Sequence, residues 1–424
     1  MTKAAAYLSA ILVFSAFNPT GERALPQTTP RTDWSTIDSH ALDAPSSVQG
    51  SFKTLAGWLT APCHSDEEKA RALYRWITQN IEYDVKALFS GRPMSGNAHD
   101  ALRTRRGVCE GYAGLFMELA KASGLKAARI SGYAKGYGYS AGGPVGKTPN
   151  HSWNAVSIDG QWRLMDCTWG AGFIGDDRKF HRAFDNHFFF TPPQEFIFDH
   201  LPEQAEWQLL DHPLSRGEYE RSVHVKPGFF NLGLTLGENT EGTLSARGEF
   251  IIRLGASRPV AAIAAISRGA KSIDDRCAFV QNEPRALVVR VTLPDTGVHT
   301  LRLFAKSPGD TGMYTWILDY RITSSGKPTG TPAYPRKYAA FDDGRVRLIE
   351  PFPGLLEAGS DQTFRLIVPG AEKAAVVIDE NWTFLKSDGD ELRADVTVQR
   401  GSIVVCAMYP GRDEWDTLLE YKGK

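Results

Sequence analysis

The sequence predicts an α+β core, in which one helix packs on an antiparallel sheet, followed by two all-β sandwiches. Residues 108–124 carry the apolar stripe of an amphipathic helix, and residues 152–166 alternate as two strands about a tight turn. From about residue 216 the chain changes to short alternating strands between Gly, Pro and Asp turns. A length of 424 residues suits about three domains.

Composition places the chain among globular proteins and speaks against nucleic-acid binding. Hydrophobic residues make up 42% of the chain, and 48 basic residues face 49 acidic ones, for a net charge of −1. A chain of this charge without basic runs is not attracted to nucleic acid or to an anionic membrane. We therefore expect no nucleic-acid partner.

An apolar segment near the N-terminus predicts export. Residues 4–17 form a 14-residue apolar run behind Lys3, which is too short to span a bilayer but suits the core of a secretory signal. We expect a signal peptide over residues 1–24 and a periplasmic or extracellular protein. The cleavage site is weak, because no small-x-small triplet precedes Pro19, so a buried or disordered N-terminal segment is the alternative. No other apolar run is long enough for a transmembrane helix.

Residues 25–50 predict a linker, because prolines stand among Thr, Ser and Asp without periodicity. The α+β core is expected over residues 51–215. Its first strong helix begins after Ser65, with an acidic first turn and an apolar stripe at helical spacing. Trp76 or Tyr83 of this region could line a cleft, but we favour core packing for such aromatic residues.

The cysteines are few and widely spaced for an exported chain. No disulfide framework can be inferred from them. No Cys-x-x-Cys pair or histidine cluster has the spacing of zinc ligands, so we expect neither a metal nor a cofactor. The five cysteines are Cys63, Cys109, Cys167, Cys277 and Cys406.

Cys109 stands at the predicted start of the helix over residues 108–124. Unpaired backbone N–H groups and the positive end of the helix dipole favour a thiolate there, which is what a nucleophile requires. The alternative is a small side chain that simply packs, since free cysteine is among the most buried residue types. Cys109 alone does not decide between the two.

A predicted hairpin downstream brings an imidazole and a carboxylate together. Residues 152–158 and 161–166 have strand patterns, and Asp159-Gly160 between them suits a type I′ turn. Because side chains alternate between faces, this register places His151 and Asp166 on one face as diagonal neighbours, about 7–8 Å apart at the backbone.

These residues favour a nucleophilic role for Cys109. His151 can donate one ring N–H to Asp166 and offer its other nitrogen to the thiol, which is the arrangement of nucleophile, base and orienter. His187 and His200 show no such spacing to a carboxylate on a shared hairpin, and we expect structural roles for both. Cys167 is expected to pack on the face opposite to Asp166.

Three motifs resemble those of the transglutaminase-like superfamily of papain-type cysteine enzymes, and within it the kyphoscoliosis-peptidase-like branch. The resemblance covers Trp58 to Leu210 and implies a papain-like, transglutaminase-like fold for the core. It implies Cys109 as nucleophile, His151 as general base and acid, and Asp166 as its orienter. The motifs are GVCEGYA at 107–113, HSWNAV at 151–156 and DGQWRLMDCTW at 159–169.

The resemblance implies acyl transfer but leaves the acceptor open. We expect an exported cysteine peptidase or amidase that cleaves peptide or glutamine-type amide bonds through a thioester, because nothing resembles the calcium site of cross-linking enzymes. The alternatives are a protein-crosslinking transglutaminase and a non-catalytic adhesion or binding module. The backbone N–H of Cys109 is one expected oxyanion donor, and the second is not assigned.

Residues 134–150 predict a flexible loop beside these residues. The stretch holds five glycines and two prolines in seventeen residues. A flap that faces the substrate is favoured over a plain surface loop.

An internal repeat predicts that the two sandwiches are immunoglobulin-like. LFAKSPGD from Leu303 and VCAMYPGR from Val405 are offset by 102 residues, about the size of one such domain. We expect sandwiches over residues 216–325 and 330–424. Few contacts should cross the Gly- and Pro-bearing join between them. A hairpin turn is favoured over a calcium site at Asp388.

The sandwiches carry no reactive constellation, so they are expected to position a partner. That partner would be a protein or peptide substrate, or a cell-wall or surface protein. A chain that ends near Arg216 would then still turn over a small substrate.

Overall fold

The computed structural model describes residues 32–90, 96–325 and 334–424. The predicted signal peptide at 1–24 and the first part of the predicted linker lie outside the described residues. Trp34–Lys424 form one unit of continuous packing.

The prediction of a linker is wrong for its second half. Ser35–Leu42 form an α-helix, and Ile37 and Ala41 on it are buried in the core. The carboxylate of Asp38 accepts two hydrogen bonds of 2.6 Å from the guanidinium of the buried Arg71. Such packing stabilises a helix whose local sequence signal is weak, because tertiary contacts supply most helix stability in proteins.

The core contains short helices around one longer pair. Asp66–Asn80 begins as predicted, with the Ser65 hydroxyl accepting from the Glu68 N–H and three acidic residues in the first turn. Trp76 lies on its buried face, as expected. The other core helices are Ser46–Val48, Phe52–Leu59, Val85–Phe89, Ala98–Thr104, Cys109–Ala122, Cys167–Ala171, Asn186–Phe188, Pro193–Phe196 and Ala205–Gln208.

A five-stranded antiparallel sheet forms the other half of the core. The predicted hairpin is present, since Ile158 pairs with Gln161 and both turn residues have positive φ, as a type I′ turn requires. The helix Cys109–Ala122 packs on this sheet through one apolar cluster. The strand order is Phe189–Thr191, Gln161–Met165, His151–Ile158, Ala127–Ala134 and His200–Pro202. The predicted α+β class of the core is therefore confirmed.

Two short strand pairs flank the core sheet. One is parallel and leads into the helix Cys109–Ala122. The other is antiparallel and follows the helix Cys167–Ala171. The pairs are Glu82–Tyr83 with Arg106–Gly107, and Gly172–Ile174 with Phe180–Arg182.

The first sandwich packs a six-stranded sheet against a four-stranded one, with the helices Arg216–Arg221 and Pro227–Asn231 at its entrance. The larger sheet contains His224–Val225, Thr243–Ala246, Ala261–Arg268, Lys271–Ser272, Gly297–Lys306 and Thr315–Ser324. The smaller contains Leu234–Thr235, Phe250–Ala256, Ala278–Glu283 and Ala286–Val291.

The second sandwich has the same arrangement, with the helix Ala339–Asp343 near its start. Its larger sheet contains Arg336–Lys337, Leu355–Leu356, Lys373–Ile378, Asn381–Phe384, Gly401–Met408 and Asp416–Gly423. Its smaller sheet contains Arg347–Glu350, Asp361–Ile367, Lys386–Asp388 and Glu391–Thr397.

The internal repeat in the sequence corresponds to repeated structure. Both larger sheets carry a register shift at the same place, after Leu303 in the first sandwich and after Val405 in the second. In both, a buried tyrosine on the last strand, Tyr320 or Tyr421, donates its hydroxyl to a backbone carbonyl. Asp388 pairs with Glu391 across a two-residue turn, so this segment is the predicted hairpin.

The expectation that few contacts cross the join between the sandwiches is wrong. Lys337 Nζ donates to two backbone carbonyls of the first sandwich, at 3.0 and 2.8 Å, and to Asp342 Oδ1 at 2.8 Å. The side chain of Gln281 exchanges two hydrogen bonds with the backbone of Leu348. Buried donors and acceptors of one sandwich are thus satisfied by the other, which ties the two together.

The loop at 135–150 is anchored to the first sandwich. Lys135 is fully buried, and its ammonium donates to the backbone carbonyl of Ser222 at 2.9 Å and to its hydroxyl at 2.8 Å. Val145 of the loop packs in one apolar cluster with Tyr219. A chain that ends near Arg216 would lose these partners, which departs from the division of labour that the sequence suggested.

None of the helices in the described ranges has the length and apolarity that a membrane span requires.

The join predicts a destabilising substitution. Lys337→Met should lower the free energy of unfolding by about 3 kcal/mol, because it leaves the buried carboxylate of Asp342 uncompensated. Urea unfolding measures the change. Adding Asp342→Asn to the variant should recover part of the loss, whereas Lys271→Met on an exposed strand should stay within about 0.5 kcal/mol. A loss below about 1 kcal/mol for Lys337→Met would contradict the role of this contact.

Candidate active site

Cys109 is the first residue of the helix Cys109–Ala122, as predicted. Its side chain is 3% exposed, and its Sγ lies 3.1 Å from Glu110 Oε2. A helix start favours the thiolate, because the first backbone N–H groups have no partner within the helix. The Glu110 carboxylate opposes that effect. The sequence analysis did not single out Glu110, although it follows Cys109 directly.

His151 and Asp166 form the predicted pair. His151 Nε2 donates to Asp166 Oδ2 at 2.7 Å, and both side chains are buried. His151 begins its strand, and Asp166 follows the end of the neighbouring strand, where it caps the helix Cys167–Ala171. Its Oδ1 accepts from the backbone N–H groups of Thr168 at 2.7 Å and Trp169 at 3.2 Å. Both carboxylate oxygens are therefore held in place.

The pairing shifts both pKa values. Burial alone would lower the pKa of His151, but the charge of Asp166 and the hydrogen bond with it raise that pKa to about 9. Burial alone would raise the pKa of Asp166, but the charge and hydrogen bond of His151 hold it well below its usual range. The pair thus favours an imidazolium beside a carboxylate.

Cys109 lies close enough to His151 to raise the pKa of the imidazole. With Nε2 committed to Asp166, Nδ1 is left for Cys109, and a side-chain hydrogen bond with Cys109 also contributes to the raised pKa of His151. The structure therefore brings all three predicted residues together in the predicted order. A thiol, an imidazole and a carboxylate in this order suit nucleophilic acyl-transfer chemistry.

His200 also lies in this cluster, which the sequence analysis missed. Its Nε2 is 3.1 Å from Asp166 Oδ2, and its Nδ1 is 2.5 Å from Asp199 Oδ1. His200 is on the edge strand beyond Ala127–Ala134, so no hairpin joins it to Asp166. The sequence signal was only the adjacent Asp199-His200 pair. His187 instead stacks on Phe230 of the first sandwich, with ring centroids 5.8 Å apart.

Three of these side chains also have the spacing of metal ligands. One ligand atom each from His151, Asp166 and His200 lies within 4.8 Å of the others. Both histidine nitrogens are already at hydrogen-bond distance from the shared carboxylate oxygen, so hydrogen bonds satisfy the group without an ion.

Aromatic residues and the loop at 135–150 border the cluster. The Trp169 ring lies 5.3 Å from that of His151, and a Cβ atom on Gly136 would lie 3.2 Å from the Trp169 ring. A larger residue at position 136 would require the Trp169 ring or the loop to shift by a few tenths of an ångström. The next residue, Tyr137, is about half exposed and contacts the half-exposed Phe89 edge to face. The loop therefore passes directly beside the predicted site.

Tyr83 packs against the main apolar cluster, as favoured, and its partly buried side chain also lies near Cys109. Burial, and then the charges of Cys109 and Glu110, raise its pKa. Cys167 packs in the main apolar cluster, and burial raises its pKa well above its usual value. The packing role predicted for Cys167 is consistent with both observations.

Two family models match the chain. Residues 53–167 match the transglutaminase-like superfamily, and residues 216–335 match a KY-like, immunoglobulin-like domain. The first range contains Cys109, His151 and Asp166.

The chain is similar to several curated proteins. Kyphoscoliosis peptidase from Mus musculus is 32% identical over 286 residues, which cover 66% of this chain and 42% of that protein. The Homo sapiens protein of the same name is 31% identical and covers 62% of this chain and 39% of its own length. Hillarin from Drosophila melanogaster is 32% identical over a match that covers 49% of this chain and 27% of Hillarin. The chain thus spans less than half of these relatives.

Alkylation tests the setting of Cys109. We expect iodoacetamide to modify Cys109 at neutral pH at least about tenfold faster than Cys63, because burial raises the pKa of Cys63 to about 11 while Cys109 faces an imidazolium. Peptide mass mapping over time gives both rates. Cys63 is more exposed than Cys109, so access alone would give the opposite order. Equal rates for Cys109 and the buried Cys277 would refute the prediction.

The two raised histidine pKa values predict a pH dependence of stability. Each is about 9 in the folded chain and about 6.5 when unfolded, so the stabilisation is complete below about pH 6.5 and lost as the pH rises through about 9. Asp166→Asn should flatten this decline in the free energy of unfolding. Asp177→Asn, which removes the exposed partner of His181, should leave it unchanged. Parallel slopes in Asp166→Asn and the unmodified chain would contradict the assignment.

Proposed function

We propose that the chain is a cysteine acyl-transfer enzyme. It carries a transglutaminase-like core and a KY-like immunoglobulin-like domain, and it is homologous to kyphoscoliosis peptidase and Hillarin. The favoured activity is that of a peptidase or amidase. The observation that carries the proposal is the series of contacts from Cys109 through His151 to Asp166.

In the first half-reaction, Cys109 reacts as a thiolate beside the His151 imidazolium, whose Nδ1 already carries the proton that the thiol has given up. The thiolate attacks the carbonyl carbon of a peptide or carboxamide bond and forms a tetrahedral oxyanion. The imidazolium then protonates the leaving amine as the C–N bond breaks. The products are a free amine and a thioester on Cys109.

In the second half-reaction, His151 removes a proton from the incoming nucleophile. Water gives a carboxylic acid, whereas a primary amine gives a new amide, and both regenerate the thiol. Asp166 keeps the Nε2–H of His151 pointed at its Oδ2 and stabilises the imidazolium in both halves. It does not itself need to take up a proton.

The helix start contributes to oxyanion binding. Cys109 is the first helical residue, so its N–H has no partner within the helix and can donate to the developing oxyanion. Indole and phenol groups near the site, from Trp169 and Tyr83, are candidates for contacts with the substrate.

Water is the favoured acceptor. The chain is similar to two proteins named kyphoscoliosis peptidase, and this name favours hydrolysis over amide exchange. The substrate would be a protein or peptide, and the sandwiches would contribute to its binding. The loop at 135–150 would then form part of the substrate cleft, since it passes beside Trp169.

Substitution of the thiol tests the proposal. Cys109→Ala should lower kcat/KM by about a thousandfold or more, because no other group at the site can form the thioester. Cys63→Ala removes a thiol outside the site and should leave kcat/KM unchanged. Activity is measured by amine release from peptide and glutamine-amide libraries, and in parallel by incorporation of a fluorescent primary amine.

The same assay separates the rival functions. Hydrolysis without amine incorporation supports a peptidase or amidase, and incorporation at the expense of hydrolysis supports a transglutaminase. A chain that is not labelled at Cys109 by an acyl-type thiol probe, and that acts on neither substrate class, would be a non-catalytic binding module.

A further inference from the structure

His200 is a buried imidazole with both ring nitrogens engaged. It is 1% exposed, and its ring stacks on Phe196 with centroids 4.0 Å apart and an interplanar angle of 16°. Trp153, Trp169 and Phe188 enclose it from other sides. An imidazole in such an apolar cage needs partners for both nitrogens, and it has two carboxylates.

The contact with Asp166 completes the coordination of that carboxylate. Oδ1 accepts two backbone N–H groups, and Oδ2 accepts from His151 at 2.7 Å and from His200 at 3.1 Å. Four donors therefore occupy the acceptor positions of a carboxylate with no solvent exposure. Rotation of Asp166 would break at least two of these bonds, so His200 restricts the direction in which Oδ2 faces His151.

Asp199 sets the protonation state of His200. Its Oδ1 lies 2.5 Å from His200 Nδ1, so both ring nitrogens donate and the ring carries a proton on each. Burial alone would lower the pKa of His200, but the charge of Asp199 and the hydrogen bonds with both carboxylates raise it to about 9.

We infer that His200 is a positioning residue for the acyl transfer proposed above, and that it extends the series of contacts to Cys109, His151, Asp166, His200 and Asp199. His200 does not touch the thiol. It holds Asp166 in the orientation that His151 requires, and its positive charge offsets part of the charge of Asp166. That the supported reaction is acyl transfer rests on the proposed function, whereas the positioning of Asp166 by His200 rests on the geometry.

The charge of His200 should influence how strongly His151 holds its proton. Asp166 is shared between two imidazoliums, so each weakens its attraction for the other. The other ionisable groups that face His200 are Asp199 and, at longer range, His187. The charge of Asp199 also acts on two ammonium groups, those of the buried Lys135 and the partly buried Lys226. A neutral side chain at position 200 would leave the negative charge of Asp166 to the His151 imidazolium alone, whether or not it still donates a hydrogen bond.

Two variants separate positioning from charge. His200→Gln keeps an N–H donor for Asp166 but removes the charge, whereas His200→Phe removes both. We expect His200→Phe to lower kcat by about 10–100-fold with KM within about twofold, because the residue supports the site without touching substrate. His200→Gln should retain kcat within about fivefold. His187→Phe, at a buried histidine outside the cluster, is the matched control and should leave kcat unchanged.

A second readout does not need turnover. The rate of Cys109 alkylation is measured against pH. The part of this curve at high pH, here called the upper limb, reports the pH at which His151 loses its proton. In His200→Gln the upper limb should move to higher pH by about 0.5 pH units or more, because Asp166 is no longer shared with a second cation. Asp199→Asn should move it in the same direction, since His200 then loses the charge that keeps it protonated.

The outcomes are distinct. Unchanged kcat in His200→Phe together with an unchanged limb in His200→Gln would overturn the inference. If His200→Phe does not fold, the limb in His200→Gln and Asp199→Asn decides alone, and no shift in either overturns it. If the unmodified chain acylates no substrate but the limb shifts, the proposed function fails while the link between His200 and His151 stands.

Discussion

The buried carboxylate of Asp166 is the group on which the arrangement of the core depends. Removing a charge from water costs several kcal/mol unless hydrogen bonds and an opposite charge replace the solvent. Here the replacements come from the short helix that Asp166 caps, from the central strand of His151 and from the edge strand of His200. The helix, the hairpin and the strand order must all be formed before this carboxylate is satisfied.

The same network reaches the first sandwich. Asp199, at the far end of the cluster, interacts electrostatically with Lys135 and Lys226. Lys135 in turn donates a hydrogen bond to the backbone carbonyl of Ser222 in the first sandwich. Burial lowers the pKa of Lys135 to about 7, since few compensating charges are near. The loop that begins at Lys135 passes beside Trp169, so the sandwich helps to fix the border of the site as well as any partner surface. The core and this sandwich are therefore packed as one structural unit beside the site.

The second sandwich is tied to the first by buried polar contacts at Lys337 and Gln281. A repeat with the same strand order and the same register shift indicates one architecture used twice. These polar contacts lie where the two copies meet, whereas the apolar cores are repeated within each copy. Such contacts define a relative orientation, because hydrogen bonds are directional whereas apolar packing is less so.

Local sequence determined the elements whose signals are local: the helix start at Cys109, the type I′ hairpin between His151 and Asp166, and the repeat of the sandwiches. Strand alternation and a two-residue turn are enough to predict that pair, because both are short-range rules. Only the tertiary structure placed His200 on Asp166, Lys135 on Ser222 and the helix Ser35–Leu42 in the core. These contacts join segments distant in sequence across a sheet edge or a domain boundary, where periodicity carries no information about which surfaces meet.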